Sequence, residues 1–485
     1  MAEDYLVYDV GSTYTKTAAF SLGETGLGFL GRAQHPTTLD DITRGLEGGR
    51  QGLVPAGNCW SAEPTVLASS SAAGGLRMVA MGYMPKVTAK AAKEVAMNAG
   101  ARVLEVVSHD EPPEYRLEVL KEIRPDIILL AGGTDGGESE SMIENARLIV
   151  QAELSAKVIV AGNIAAQPKA ARVLEKGGVP YVRVGNVMPT IHDLNVRPAR
   201  AAIHAEFIRQ ITRAPGLSRL AEVVAGGEVV PTPSAILMGA ELLAGGTHTR
   251  DGVGGVLVLD VGGATTDVHS VIPALASLRP EERGLVINND KQVAFRTVEG
   301  NLGLRVSASG IVDAVGPAGI LAAKDRLKGR GDDGPVNYSE AETEHVVDYA
   351  AFLEENTDHL PADAWEADLE PALAAAALET ALKRHAGYWV TEYNPVLGLA
   401  PGSPVGRDLR GVKWVIGVGG FFTHAGPETG LKVLKEVFTR PEYSLLPENP
   451  EFRIDRDYLL YAVGLLGGLH PEAALDFTKK YFNME

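Results

Sequence analysis

Apolar residues fall in short blocks along this chain, and each block runs into glycine. Leu6–Val10, Ile127–Ala131, Val158–Ala161, Val256–Val261 and Trp414–Val418 all have strand length and end at a Gly-containing turn. Blocks of this kind are what strands buried on both faces look like. Helix-like segments lie among them, at Met84–Ala99, Ser139–Leu154, Ala199–Ile211, Glu340–Glu355, Ala372–Arg384 and Gly430–Val437. Strands alternating with helices predict an α/β fold with parallel or mixed sheets. Gly329–Pro335 and Pro395–Arg410 read as surface loops, being rich in Gly, Pro and Asp.

One pattern occurs twice. Residues 5–20, YLVYDVGSTYTKTAAF, resemble residues 256–271, VLVLDVGGATTDVHSV. Each is an apolar strand, Asp-Val-Gly, a turn of small and hydroxyl residues, and a second strand. The spacing, from Asp9 to Asp260, is far too long for a solenoid. It suits two related lobes, each offering one hairpin to a shared cleft.

Composition narrows the partners. The chain has 485 residues, 45% hydrophobic and 22% charged, enough for a packed core and two to four domains. A net charge of −17 argues against general affinity for nucleic acid or anionic membrane. The lone Cys59 excludes a disulfide framework and a thiolate metal cluster, and reads as a small buried residue of a reducing compartment. The N-terminus has no leader pattern, and no apolar run approaches the ~18 residues that span a bilayer. The expected location is the cytoplasm.

The hairpins carry the candidate chemistry. In the first, Gly11 permits a sharp turn that brings backbone N–H groups to an anion. Ser12, Thr13 and Thr15 offer hydroxyls, Lys16 offers a point charge for a phosphate, and Asp9 a water-mediated hold on Mg²⁺. In the second, Gly262 and Gly263 allow close approach to the terminal phosphates, and Thr265 and Thr266 supply hydroxyls. Asp260 and Asp267 are candidates for holding the metal's water or orienting an attacking one. Two such loops make a phosphate clamp, and phosphoryl transfer needs mainly positioning and charge neutralisation. An ordinary glycine-turn hairpin is the plainer alternative for each. A third element, Trp414–Thr423, ends a buried strand in Gly417, Gly419 and Gly420, where adenosine could lie against backbone; alone it equally fits a tight strand–helix turn.

Other features point less sharply. Ile127–Gly137 is a strand, a Gly-rich turn and a helix start, open to reading as a second ligand site, a partner contact or a tight connection. Asp135 suits no phosphate there. The histidines form no metal motif; His192-Asp193 is at most a polar contact. No DxHxxG cobalamin-ligand motif is present.

The order DxGST, DxGGxTTD and late GxGG resembles the phosphate-1, phosphate-2 and adenosine motifs of actin, heat-shock chaperones and sugar kinases. Together with LLAGGTDGG, Asn186–Pro189 and Arg296-Thr-Val-Glu-Gly-Asn-Leu-Gly303, the chain is similar to the MutL (GlmL) family that accompanies glutamate mutase. The resemblance spans nearly the whole chain. It implies a two-lobed actin-like ATPase (ribonuclease H-like) α/β fold with inserted α/β segments. Lobe I would be 1–245, with an insert at about 100–190, completed by 456–485; lobe II would be 246–455. It implies ATP and Mg²⁺ as ligands, with Asp9 and Asp260 at the metal and Asp9, Asp260 and Asp267 in catalysis. Asp9, Gly11, Ser12, Thr13 and Lys16 match phosphate-1, and Asp260, Gly262, Gly263, Thr265, Thr266 and Asp267 match phosphate-2. Gly417, Gly419 and Gly420 match the adenosine loop, although Phe421 and Phe422 replace the small residues expected there. The implied partners are the subunits of an adenosylcobalamin-dependent mutase, whose damaged cobalamin would be exchanged; homo-oligomers are also compatible. A small-molecule kinase of the same superfamily, or a nucleotide-binding scaffold without turnover, are the alternatives.

Overall fold

The computed structural model describes residues 3–11, 14–38, 41–53, 63–71, 76–84, 95, 101–190, 195–211, 220, 222–227, 229–272, 293–330, 337–393 and 400–484. Ser12, Thr13, Cys59, His192-Asp193, nearly all of the helix expected at Met84–Ala99 and parts of both expected loops lie outside the described residues.

In chain order the strands are β1 (Glu3–Val10), β2 (Tyr14–Gly23), β3 (Gly26–Pro36), β4 (Thr65–Ser70), β5 (Leu76–Gly82), β6 (Ala101–Ser108), β7 (Ile127–Leu130), β8 (Lys157–Val160) and β9 (Tyr181–Arg183). They continue as β10 (Val230–Pro231), β11 (Val256–Val261), β12 (Thr266–Val271), β13 (Ala294–Glu299), β14 (Tyr388–Trp389), β15 (Pro404–Val405), β16 (Trp414–Val418) and β17 (Glu451–Ile454). The chain forms two compact units, Met1–Ser21 with Phe29–Ser234 and Leu22–Gly28 with Ala235–Glu485. The second unit includes residues 456–484 together with most of the helix Thr232–Gly245.

Two of the five-stranded sheets, one in each unit, share an order. The first runs β10-β4-β1-β2-β3 and the second β13-β12-β11-β16-β17. With the strands of each sheet numbered in chain order, the second reads 3-2-1-4-5 from β13, and the first reads the same from its β3 end. In the second, β11–β12 and β12–β13 are antiparallel, while β11–β16 and β16–β17 are parallel. In the first, β1–β4 and β4–β10 are parallel, and β1 leads straight into its neighbour β2 as a hairpin. This duplicated ribonuclease H-like order is the core of an actin-like ATPase fold.

The first unit also carries an inserted sheet, β6-β5-β7-β8-β9, parallel throughout. It spans 76–183, and its strands IILL and KVIV are buried almost throughout, as parallel strands sandwiched by helices must be.

Cores follow from the alternating side-chain directions. In the second unit Leu257, Leu259, Val261, Val268 and Phe295 of the sheet pack with Leu369, Leu373, Leu378 and Leu382 of the helix Ala364–His385. In the first, Leu6, Tyr8, Val10 and Ala68 pack with Ile42 and Leu46 of the helix Ile42–Leu53. Among the described residues no helix is long and apolar enough to cross a membrane.

Candidate functional site: two carboxylate hairpins

The two hairpin turns close in the same way. Gly11 N–H donates to Tyr14 O at 3.0 Å, and Gly262 N–H donates to Thr265 O at 2.9 Å. A Cβ on Gly11 would stand 2.8 Å from that Tyr14 oxygen, so the first turn requires glycine. The carbonyl of Gly11 accepts from Thr37 Oγ1 at 2.9 Å, and that of Gly262 from Leu304 N–H at 3.0 Å. In the second hairpin the segment after β13 also supports the turn. Arg305 and Val306 donate N–H to Gly263 O, both at 2.8 Å, and Ser307 Oγ donates to Ala264 O at 2.8 Å.

Strand alternation sorts the candidates onto two faces. Thr15 and Thr266 are buried and turn inward. Thr15 Oγ1 lies 3.1 Å from Thr37 Oγ1, and Thr266 Oγ1 donates to Leu302 O. Their hydroxyls thus hold the hairpins to their supporting segments. Lys16 and Asp267, one residue further, lie on the opposite face of each strand.

Asp260 and Asp267 are directly opposite across β11–β12, so they share a face. Asp260 is half-buried at the strand end; Asp267 is buried. Arg296 Nε donates to Asp267 Oδ1 at 2.8 Å, its second guanidinium arm closes an ion pair with the same oxygen, and Thr265 Oγ1 donates to Oδ2 at 3.0 Å. His269, facing Arg296 across β12–β13, is fully buried with both ring nitrogens unpartnered. Burial first, and the Arg296 guanidinium second, hold its pKa well below the ordinary value, so the ring is neutral.

Asp9 is also buried. Ser69 Oγ donates to its Oδ1 at 3.0 Å, Thr232 Oγ1 donates to the same oxygen, and Lys16 Nζ lies 3.7 Å from Oδ2. Ser69 is Asp9's register partner on β4, and Thr232 follows β10.

The third element is a strand–helix turn. Gly419 has φ +107°, and a Cβ there would sit 2.6 Å from Asp260 Oδ1. Gly417 is filled on its open side by Phe422, 2.8 Å from a would-be Cβ. Phe421 and Phe422 are buried, their rings 5.2 Å apart, and Gly420 opens the short helix Gly420–His424. The bulk beside these glycines therefore belongs to the core.

Among the described residues no three His, Cys, Asp or Glu side chains converge to hold a metal directly. The oxygen donors present are carboxylates at strand ends, which fits Mg²⁺ held largely through its own water.

The Gly-rich turn after β7 is satisfied internally. Asp135 Oδ1 accepts from Ile164 N–H at 3.0 Å and from Asn186 Nδ2 at 2.9 Å. Glu138 caps the helix Glu140–Gln151 by accepting from Ser141 N–H at 2.9 Å, and buried Asn163 donates to Gly137 O and Glu138 O. Carboxylates occupy the helix starts where a phosphate would bind, so the geometry is that of a tight strand–helix connection.

Sequence reasoning missed Ser69, Thr232 and the role of Arg296. Ser69 was visible as a hydroxyl closing the apolar run TVLASS, and Thr232 as a hydroxyl just after a Pro-ended strand. Nothing local ties either to Asp9.

Residues 5–482 match the family model described as MutL protein. Protein MutL of Clostridium tetanomorphum is 36% identical over 493 residues, covering 98% of each chain. Among solved structures, a diol dehydratase-reactivating factor in nucleotide-free form is 10% identical, with a TM-score of 0.31, covering 96% of this chain and 100% of that one. Gluconate kinase from Lactobacillus acidophilus is 10% identical, with a TM-score of 0.33, covering 98% and 91%.

Proposed function

Given that the chain belongs to the MutL protein family, we propose that it is an ATP-binding and ATP-hydrolysing, chaperone-like protein. Its client would be an adenosylcobalamin-dependent mutase, glutamate mutase or a related aminomutase, whose damaged cobalamin it helps to exchange. The observation that carries the nucleotide part is the pair of hairpins closed by the same turn, each with an aspartate at its strand end. Phosphate recognition needs backbone N–H groups at a tight glycine turn and a cation nearby; metal binding needs hard oxygen donors. Gly11, Gly262 and Gly263 supply the turns, Lys16 the cation, and Asp9 and Asp260 the oxygens. Mg²⁺ there would neutralise phosphate charge. Asp260 would position the metal's water. Asp267, paired with Arg296 and aimed by Thr265, would orient the attacking water. Ser12 and Thr13 would add hydroxyls at the first turn, and Gly417, Gly419 and Gly420 would bring backbone beside the adenosine.

A nucleotide does mechanical work only by favouring one conformation over another. The proposal therefore predicts that client repair needs turnover. Glutamate mutase is inactivated until its cobalamin has lost the adenosyl group, then mixed with this chain, ATP·Mg²⁺ and fresh adenosylcobalamin. Cobalamin release and mutase turnover are both followed. Recovery is expected with wild type and absent with Asp260→Ala, whose own ATP turnover falls by at least about tenfold. Equal recovery without ATP overturns the proposal. A phosphorylated small-molecule acceptor in a substrate panel would replace it with a kinase.

A further inference from the structure

The first hairpin carries a cation where the second carries a carboxylate. When the repeats are aligned on Asp9 and Asp260, Lys16 takes the place of Asp267. Asp267 has Arg296 from another strand as its counter-ion. Asp9 has Lys16, from its own hairpin.

The two oxygens of Asp9 are unequal. Oδ1 accepts from Ser69 and from Thr232, which fills its lone-pair directions. Among the described residues nothing donates a hydrogen bond to Oδ2, and the Lys16 ammonium at 3.7 Å stands beyond hydrogen-bond reach. A buried carboxylate held on one side only by a distant cation is poorly compensated. Oδ2 is thus the oxygen open to a stronger cation, and Lys16 stands over it. Ser69 and Thr232 act as positioning residues, pinning the carboxylate so that Oδ2 faces that way. The Lys16 side chain is 28% exposed on a flexible four-carbon stem, so it can leave without breaking a packed core.

We propose that Lys16 is a counter-ion latch. Without metal it neutralises Asp9. When a hydrated divalent cation takes Oδ2, the ammonium is released to the terminal phosphates of the nucleotide. This inference rests on the ATP reading above. It makes metal binding at Asp9 and phosphate binding at Lys16 help one another, and such coupling is reciprocal. A lysine that merely contacts phosphate would strengthen ATP binding equally with and without metal.

The test uses the full chain, wild type and Lys16→Met, with Lys16→Arg as a variant that keeps the cation. ATP affinity is measured calorimetrically in EDTA and in Mg²⁺. Mn²⁺ affinity of the nucleotide-free chain is measured by electron paramagnetic resonance. In Lys16→Met the gain in ATP affinity on adding Mg²⁺ is expected to shrink by about tenfold, and Mn²⁺ binding to tighten by about tenfold, because the competing ammonium is gone. Lys16→Arg should keep the wild-type Mn²⁺ affinity. A loss of ATP affinity that is equal in both buffers, or an unchanged Mn²⁺ affinity in Lys16→Met, overturns the latch. If wild type binds no ATP in either buffer, the nucleotide reading itself fails, while the Mn²⁺ measurement still decides whether Lys16 guards Asp9.

Discussion

Arg296 and Asp267 are about 5% and 4% exposed, so neither charge is relieved by water. Removing one member of a buried pair leaves the other uncompensated, at about 3–5 kcal/mol. Arg296→Met is therefore expected to destabilise the chain by about that much in chemical denaturation. Adding Asp267→Asn should recover much of the loss, since the stranded charge is gone. A single variant as stable as wild type would show that the pair does not hold the second hairpin. His269 reports the same change spectroscopically. Without the neighbouring guanidinium its imidazole should titrate at higher pH, although burial, the larger cause, remains.

At the scale of elements, strand ends are tied to helix starts. β16 is followed by Gly419, whose positive φ starts the next helix against Asp260. β17 is followed by Asp455, whose N–H donates to Gly417 O at 2.9 Å. The Asp455 carboxylate accepts from Leu459 and Leu460 N–H, both at 2.8 Å, so it caps the helix Leu460–Gly467. Burial pushes its pKa up to about 6 from 3.8, against the lowering pull of those N–H groups. A carboxyl whose folded pKa lies above its unfolded value binds its proton more tightly when folded. Its contribution therefore falls as pH rises from about 4 through about 6, and levels off about a unit above that. Asp455→Asn should remove this decline. Denaturation of both proteins at pH 4, 5, 6, 7 and 8 tests it: the stability difference between them must change between pH 4 and 7 and be constant above. A flat difference would sink the assignment.

At the scale of the whole molecule, two sheets of the same order each present a hairpin with the same turn closure. A nucleotide that binds only the folded chain favours the native state by mass action. ATP·Mg²⁺ at a hundred times its dissociation constant should stabilise the chain by about 2.7 kcal/mol, raising the melting temperature by a few degrees. Scanning calorimetry should find this shift in wild type. It should be much smaller in EDTA and strongly reduced in Asp260→Ala. An equal shift in all three would mean that the nucleotide binds elsewhere.

Much of this architecture is written locally. Val256–Val261 and Trp414–Val418 have the bounds that their patterns predict, because a strand buried on both faces needs an unbroken apolar run, and the helix Glu340–Glu355 begins where Ser339 and Glu342 form a capping box. The duplicated Asp-Val-Gly turn was legible for the same reason: a tight turn needs glycine wherever it occurs. The inward turn of Thr15 and Thr266 follows from the two-residue strand period, once the Asp-bearing face is known. What the sequence could not determine is which distant strand ends lie side by side. Ser69 and Thr232 reach Asp9 from 60 and 223 residues away, and Arg296 reaches Asp267 from another strand. The Gly-rich turn after β7 left a ligand site, a partner contact and a tight connection open, and Asn163 and Asn186, distant in sequence, satisfy it as a tight connection. A local pattern specifies a residue's face and turn. Its hydrogen-bond partners are set by sheet order and register, which only the packing of the whole chain decides.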